Sequence, residues 1–254
     1  MITATSRSSP HTAHEWSASA RSVRSIELRG PAGRLEALVN QGSPHAAFAA
    51  VVAHPHPRGG GSMHNRVVYH AMKVLNAPEW GFGFPVLRFN FRGMGRSEGK
   101  HDGAAEAGDV QAALAWIENE YKLPLVVGGF SFGAAMTLAA CCGKPVAAST
   151  TMNVKGLVAI GLPVRSGARP EAPSYDYSVL AHCRIPKLFL SGDRDQFATE
   201  TELIQAAAAA AEPKQVALVP GADHFFTGHL MRMQSALAGW LKEQVYDPGQ
   251  RPCI

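Results

Sequence analysis

From residue 25 onward the chain alternates short apolar runs with longer stretches whose apolar residues recur at helical spacing. Residues 48–53 (FAAVVA), 123–130 (LPLVVGGF), 156–162 and 186–190 are almost wholly apolar, the pattern of strands covered on both faces. Residues 84–91 (FPVLRFNF) and 215–219 read as further strands. Residues 25–29 and 34–40, broken at Gly30, Pro31 and Gly33, predict an opening hairpin. Helical spacing is found over 65–75, 104–121, 132–142, 199–212 and 229–246; in the second of these Val110, Ala113, Leu114 and Ile117 share one face. Repeated strand–helix units of this length predict an α/β fold, a mostly parallel sheet with helices on both faces. One domain, 21–254, is expected, preceded by a disordered extension over 1–20 that is rich in Ser, Thr and Ala.

Composition narrows the picture by exclusion. With 46% hydrophobic and 17% charged residues, the chain can bury a core and does not read as disordered. The formal net charge is only +4 and no run of five like charges occurs, which argues against a nucleic-acid partner. The four cysteines have no CxxC spacing: Cys141 and Cys142 are adjacent, Cys183 stands alone and Cys253 is at the tail. They read as four free thiols in a reducing cytosol rather than as a disulfide framework or a zinc site. The first twenty residues contain no apolar run that would make a secretory signal, and no later stretch is long and apolar enough for a membrane span. A cytoplasmic protein that does not associate with membranes is expected.

The chemistry concentrates on three loops. Gly129-Phe130-Ser131-Phe132-Gly133 lies between a buried strand and a helix of small residues. A sharp turn there would strain the Ser131 backbone and push its hydroxyl outward, and it requires neighbours without bulk two residues away. A serine hydroxyl becomes a useful nucleophile only when a base takes its proton. His224, in the loop after 215–219, is the candidate base. Two acids precede it in Ser191-Gly192-Asp193-Arg194-Asp195, the loop after 186–190. Asp195, further into that loop, is favoured over Asp193, which suits a turn; Asp223 adjoins the base and is expected to point away.

Acyl transfer also requires donors for a developing oxyanion, typically two backbone N–H groups. Phe132, just after the serine, is one candidate. In His54-Pro55-His56-Pro57 both prolines lack an N–H, so His56 is the other. A metal cluster of His54, His56, His64 and His70 is the rival reading, disfavoured by irregular spacing and no nearby carboxylate. No metal or cofactor is expected.

Taken together, HPHPRGGGSMHN (54–65), LRFNFRGMGRSEG (87–99), GGFSFGAA, SYDYS (174–178), SGDRD and GADHFF resemble a lidless bacterial α/β-hydrolase group. That group is related to dienelactone hydrolases and prolyl-oligopeptidase catalytic domains and is described as serine esterases. The resemblance covers about residues 25–241. It implies the eight-stranded α/β-hydrolase fold without a cap domain and a Ser131–Asp195–His224 triad, and it names no substrate. A dienelactone hydrolase would carry Cys, and a dehalogenase Asp, where this chain has Ser131.

Between 163 and 184 the sequence is polar and Pro-containing, long enough for a loop and one short helix but not for a cap. An uncapped site favours short acyl groups. Tyr175 and Tyr177 are candidate pocket residues. Arg58 and Arg92 lie on loops at the same edge and would favour acidic esters if they reached the mouth, although the Arg92–Ser97 stretch reads first as a structural turn. The expected activity is that of a serine carboxylesterase on a small-molecule ester. Thioester hydrolysis or acyl transfer by the same triad is the near alternative, a non-catalytic hydrolase-fold binder the distant one, and peptidase activity comes last.

Overall fold

The structure, a computed structural model, describes residues 22–143, 152–165 and 175–245. The expected extension over 1–20, Ser174, Tyr246 and Cys253 lie outside the described residues.

Eight strands form one sheet: β1 (Val23–Gly30), β2 (Gly33–Asn40), β3 (Ala49–Ala53), β4 (Val86–Phe89), β5 (Leu125–Phe130), β6 (Val154–Ile160), β7 (Lys187–Gly192) and β8 (Lys214–Val219), in the spatial order β1-β2-β4-β3-β5-β6-β7-β8. The hairpin β1–β2 and the β2–β4 pair are antiparallel, and every other neighbouring pair is parallel. The crossovers carry α1 (Arg66–Asn76), α2 (Ala107–Tyr121), α3 (Phe132–Cys142) and α4 (Glu200–Ala208); α5 (Leu230–Trp240) closes the fold and runs into a π-helical turn, Leu241–Val245.

The apolar runs are continuous because both faces of each central strand are covered. In β3, Ala49, Val51 and Ala53 join the core formed with α2, α3 and α4, while Ala50 and Val52 join the core formed with α1 and α5. The same alternation places Val127 and Ala159 on the first face and Val126 and Val158 on the second. A parallel sheet packed in this way leaves its strand C-terminal ends as the open edge, where crevices for ligands form.

Polar groups fix several element boundaries. Asn65 caps α1 by accepting from Val67 N at 2.9 Å, and Thr199 with Glu202 closes a capping box on α4. The turn after β4 is fastened by Arg92, whose guanidinium forms a two-pronged pair with the fully buried Asp109 of α2, at 2.7 Å for the shortest contact. Arg92 is therefore a buried structural residue and does not serve the site mouth.

One expectation is corrected. Cys142, at the end of α3, and Cys183 form a disulfide across 41 residues of sequence, so they are not free thiols. Their pairing was invisible in the spacing because it depends on α3 lying beside the short turn Ser178–His182. The argument for a reducing compartment loses that support. Cys141 is free, and burial pushes its thiol up to about 12.

Removing one partner of a buried ion pair strands the other charge. Asp109→Ala should therefore lower the unfolding free energy by about 3–5 kcal/mol, measured by urea titration against the wild type.

Candidate active site

Ser131, Asp195 and His224 come from three loops at the C-terminal edge of the sheet, after β5, β7 and β8. The serine occupies the one-residue joint between β5 and α3 and has φ 56° and ψ −120°, a conformation that L-residues rarely adopt. Its N–H donates to Ile160 O at 2.8 Å, and its carbonyl accepts from Ala134 N and Ala135 N. The glycines on either side are required by contact: a Cβ at Gly133 would lie 2.5 Å from His54 O, and one at Gly129 would strike the Gly133 carbonyl.

The hydroxyl lies 3.0 Å from His224 Nε2, and His224 Nδ1 lies 2.8 Å from Asp195 Oδ2. His224 and Asp195 are almost fully buried. The imidazole is packed among Phe130, Phe197 and Phe225, with ring centroids 4.9, 4.5 and 5.2 Å away. Asp195 is held in place by Ser191 Oγ, which donates to Oδ2 at 2.9 Å, and by Phe197 N, which donates to Oδ1 at 2.7 Å. The loops carrying acid and base are joined directly, since Gly221 N donates to Asp193 Oδ1 and Arg194 N to Ala222 O. Asp193 thus builds the turn while Asp195 faces His224. Asp223 accepts from Phe225 N and Thr227 N and turns away from the imidazole.

The sequence reading did not single out Ser191 in this role. It also missed Gly161, where a Cβ would come within 3.1 Å of the His224 ring and where φ is +55°. A glycine just after the apolar run of β6 was the only available signal for it.

The loop after β3 is anchored by His54. This fully buried ring donates from Nδ1 to Pro55 O at 2.6 Å and accepts the Phe91 N–H at Nε2, 3.0 Å away, tying the ends of β3 and β4 together. His54 is thus committed to its own backbone and is not a metal ligand. His56 is half-buried, and its Nδ1 accepts from Arg58 N at 3.1 Å. Burial, with His101 and Arg58 adding to it, holds His56 below the usual imidazole range. Among the described residues nothing accepts from the His56 N–H, nor from the Phe132 N–H at the start of α3. No group of three or more His, Cys, Asp or Glu among the described residues is arranged to hold a metal ion.

Tyr175 packs near Phe132, with centroids 6.2 Å apart, whereas the Tyr177 hydroxyl donates to Pro163 O at 2.8 Å. The Arg58 side chain is exposed beside the loop. Between β6 and β7 the only helical element among the described residues is the short turn Ser178–His182, so those residues form no helical cap over the edge. No helix of the described residues is long and apolar enough to cross a membrane.

Strand order and elbow together are those of the α/β-hydrolase class. The chain belongs to that family: the sequence model described as an alpha/beta hydrolase domain matches residues 31–241. An uncharacterized protein of Rickettsia prowazekii is 33% identical over 224 residues, covering 85% of this chain and 87% of that protein. A solved serine hydrolase without a lid from Xanthomonas campestris is 27% identical with a TM-score of 0.71, covering 89% of this chain and 97% of that chain. An alpha-beta serine hydrolase homologue from Coxiella burnetii is also 27% identical with a TM-score of 0.71, covering 86% and 97% of the two chains.

Burial pushes the His54 imidazole down to about 4, against 6.5 for the free group. Between those values the unfolded chain binds a proton that the folded chain refuses. Stability is therefore full above pH 6.5 and falls as pH drops toward 4, by about 3 kcal/mol from this group. Urea titrations at stepped pH should show this slope in the wild type and a shallower one in His54→Asn.

Proposed function

We propose that the protein is a serine carboxylesterase that cleaves short-chain esters through an acyl-Ser131 intermediate. The observation that carries the reading is the unbroken hydrogen-bonded chain Ser131–His224–Asp195, at 3.0 and 2.8 Å, placed at an uncapped sheet edge.

His224 Nε2 takes the hydroxyl proton as Ser131 Oγ bonds to the ester carbonyl carbon. The carbonyl π electrons move onto oxygen, and the resulting oxyanion accepts from the N–H groups of His56 and Phe132. As the C–O bond to the alcohol breaks, the imidazolium returns its proton to the leaving oxygen. Water then repeats the sequence: it loses a proton to His224, attacks the acyl carbon, and Ser131 leaves with that proton as the acid is released. Asp195 keeps the ring oriented and stabilises its charged form. Ser191 and Phe197 hold its oxygens in place.

The substrate class follows from the opening. Without a cap there is little apolar surface to cover a long acyl chain, so short chains are favoured. Tyr175 beside Phe132 and the exposed Arg58 are the residues proposed to meet the substrate's flanks. The nearest alternative, thioester hydrolysis, uses the same proton path.

Intact mass spectrometry after treatment with a fluorophosphonate should show one adduct on the wild type and none on Ser131→Ala. In the same variant, hydrolysis of p-nitrophenyl acetate should fall by at least about a thousandfold. A folded wild type that takes no adduct and hydrolyses no ester would remove the reading. Across p-nitrophenyl esters, kcat/KM should peak at acetate or butyrate and decline toward decanoate.

A further inference from the structure

Beside Ser131, three aromatic rings from three separate segments meet at close range. His56 comes from the loop after β3, Phe132 from the first position of α3, and His101 from the connection between β4 and α2. The His101 ring lies 4.6 Å from that of His56 at 74° and 5.5 Å from that of Phe132 at 73°. The His56 and Phe132 rings are themselves 5.1 Å apart at 60°. Each pair thus has the edge-to-face character that aromatic rings prefer.

His101 is in turn fixed from behind. Its Nδ1 lies 2.7 Å from Oε1 of Glu106, a fully buried carboxylate. Glu106 also accepts from Asp102 N at 2.8 Å and Gly103 N at 2.9 Å, so the loop is folded back onto the start of α2. A carboxylate taken wholly out of water requires such donors, which explains the site's tight closure around it. The proton path assigned above uses neither residue.

The geometry points to His101, braced by Glu106, as the positioning residue of the oxyanion pocket: it clamps the side chains of His56 and Phe132, whose two N–H groups must converge on one oxygen. This inference rests on the proposed esterase mechanism. The two donors come from stretches far apart in sequence, and the prolines flanking His56 restrict their own φ angles but do not set the distance from the His56 N–H to α3. The packing of α3 on the end of β3 brings the two stretches together, and the ring contacts of His101 with His56 and Phe132 add a side-chain link between them. Donors of this kind act only when aimed at the developing charge, and a displacement of about 1 Å is costly.

The test combines kinetics with a trifluoromethyl ketone bearing a short acyl chain, whose adduct with serine carries a negative oxygen where the reaction does. In His101→Ala, kcat should fall about tenfold or more with KM within about twofold. Affinity for the ketone should fall by the same factor as kcat. His101→Phe keeps the ring while losing the bond to Glu106, and should recover kcat to within about threefold of wild type. If His101→Ala does not fold, His101→Leu, which has bulk but no aromatic edge, replaces it with the same expectations. The inference is overturned if kcat and ketone affinity stay within about twofold of wild type, if KM alone rises, or if His101→Phe is as impaired as His101→Ala. A wild type inert toward both ester and fluorophosphonate would instead overturn the esterase mechanism itself, and His101's role with it.

Discussion

A chain that passes from a buried strand to a buried helix through one residue leaves that residue little choice of conformation, and the other parts of the site are arranged around this constraint. Ser131 takes the strained φ of 56° because β5 pairs on both sides and α3 packs directly on the sheet. The close approach of β5, α3 and the end of β3 leaves no volume for side chains at Gly129 and Gly133. In exchange the hydroxyl stands clear at the sheet edge, within reach of an imidazole delivered from β8. Conformational strain of this kind persists only where the surroundings over-determine it, and here two strands, a helix and the Ile160 carbonyl do so.

The remainder of the site divides into two fastened halves. On one side the β7 and β8 loops are linked by Asp193 and Arg194, so acid and base arrive as a unit. On the other, His54 ties β3 to β4, and Glu106 closes the loop that carries His101. Further from the edge, buried Lys187 donates to the carbonyls of Cys183, Ala211 and Pro213, and Lys214 to those of Ala208 and Ala210. Two cations thus serve the carbonyls at and just beyond the C-terminal end of α4, where the helix dipole favours positive charge.

Legibility in the sequence followed the range of the interaction. The central strands were readable because burial on both faces leaves an unbroken apolar run, and the elbow because its small residues are contiguous. Strand ends were less clear: residues 84–91 read as one strand, yet pairing holds only over Val86–Phe89, since Phe84 N bonds to Leu75 O and Phe91 N to His54. The helix read over 199–212 ends at Ala208, because an alanine run carries no periodic signal to mark its end and the lysines above take the carbonyls that follow. Asp195 was preferred to Asp193 on its place in the loop; its Oδ2 lies 2.8 Å from His224 Nδ1, while Asp193 accepts from Gly221 N. Ser191, Gly161, the His101–Glu106 pair and the Cys142–Cys183 bond were hidden for a common reason: each acquires its meaning from a partner brought close only by folding.

The Ser131 amide is occupied by Ile160 and is therefore unavailable to a substrate oxygen. In the proposed mechanism, both donors then lie on the β3–α3 side of the hydroxyl, while the proton acceptor lies on the β8 side. An ester carbonyl can satisfy the two at once in only one orientation, with its oxygen toward the donors and its leaving group toward the imidazole. That fixes which of its two prochiral faces meets the nucleophile. The tetrahedral carbon on Ser131 thus forms with a single configuration set by the backbone, and any choice between enantiomeric acids or alcohols is left to the walls around it.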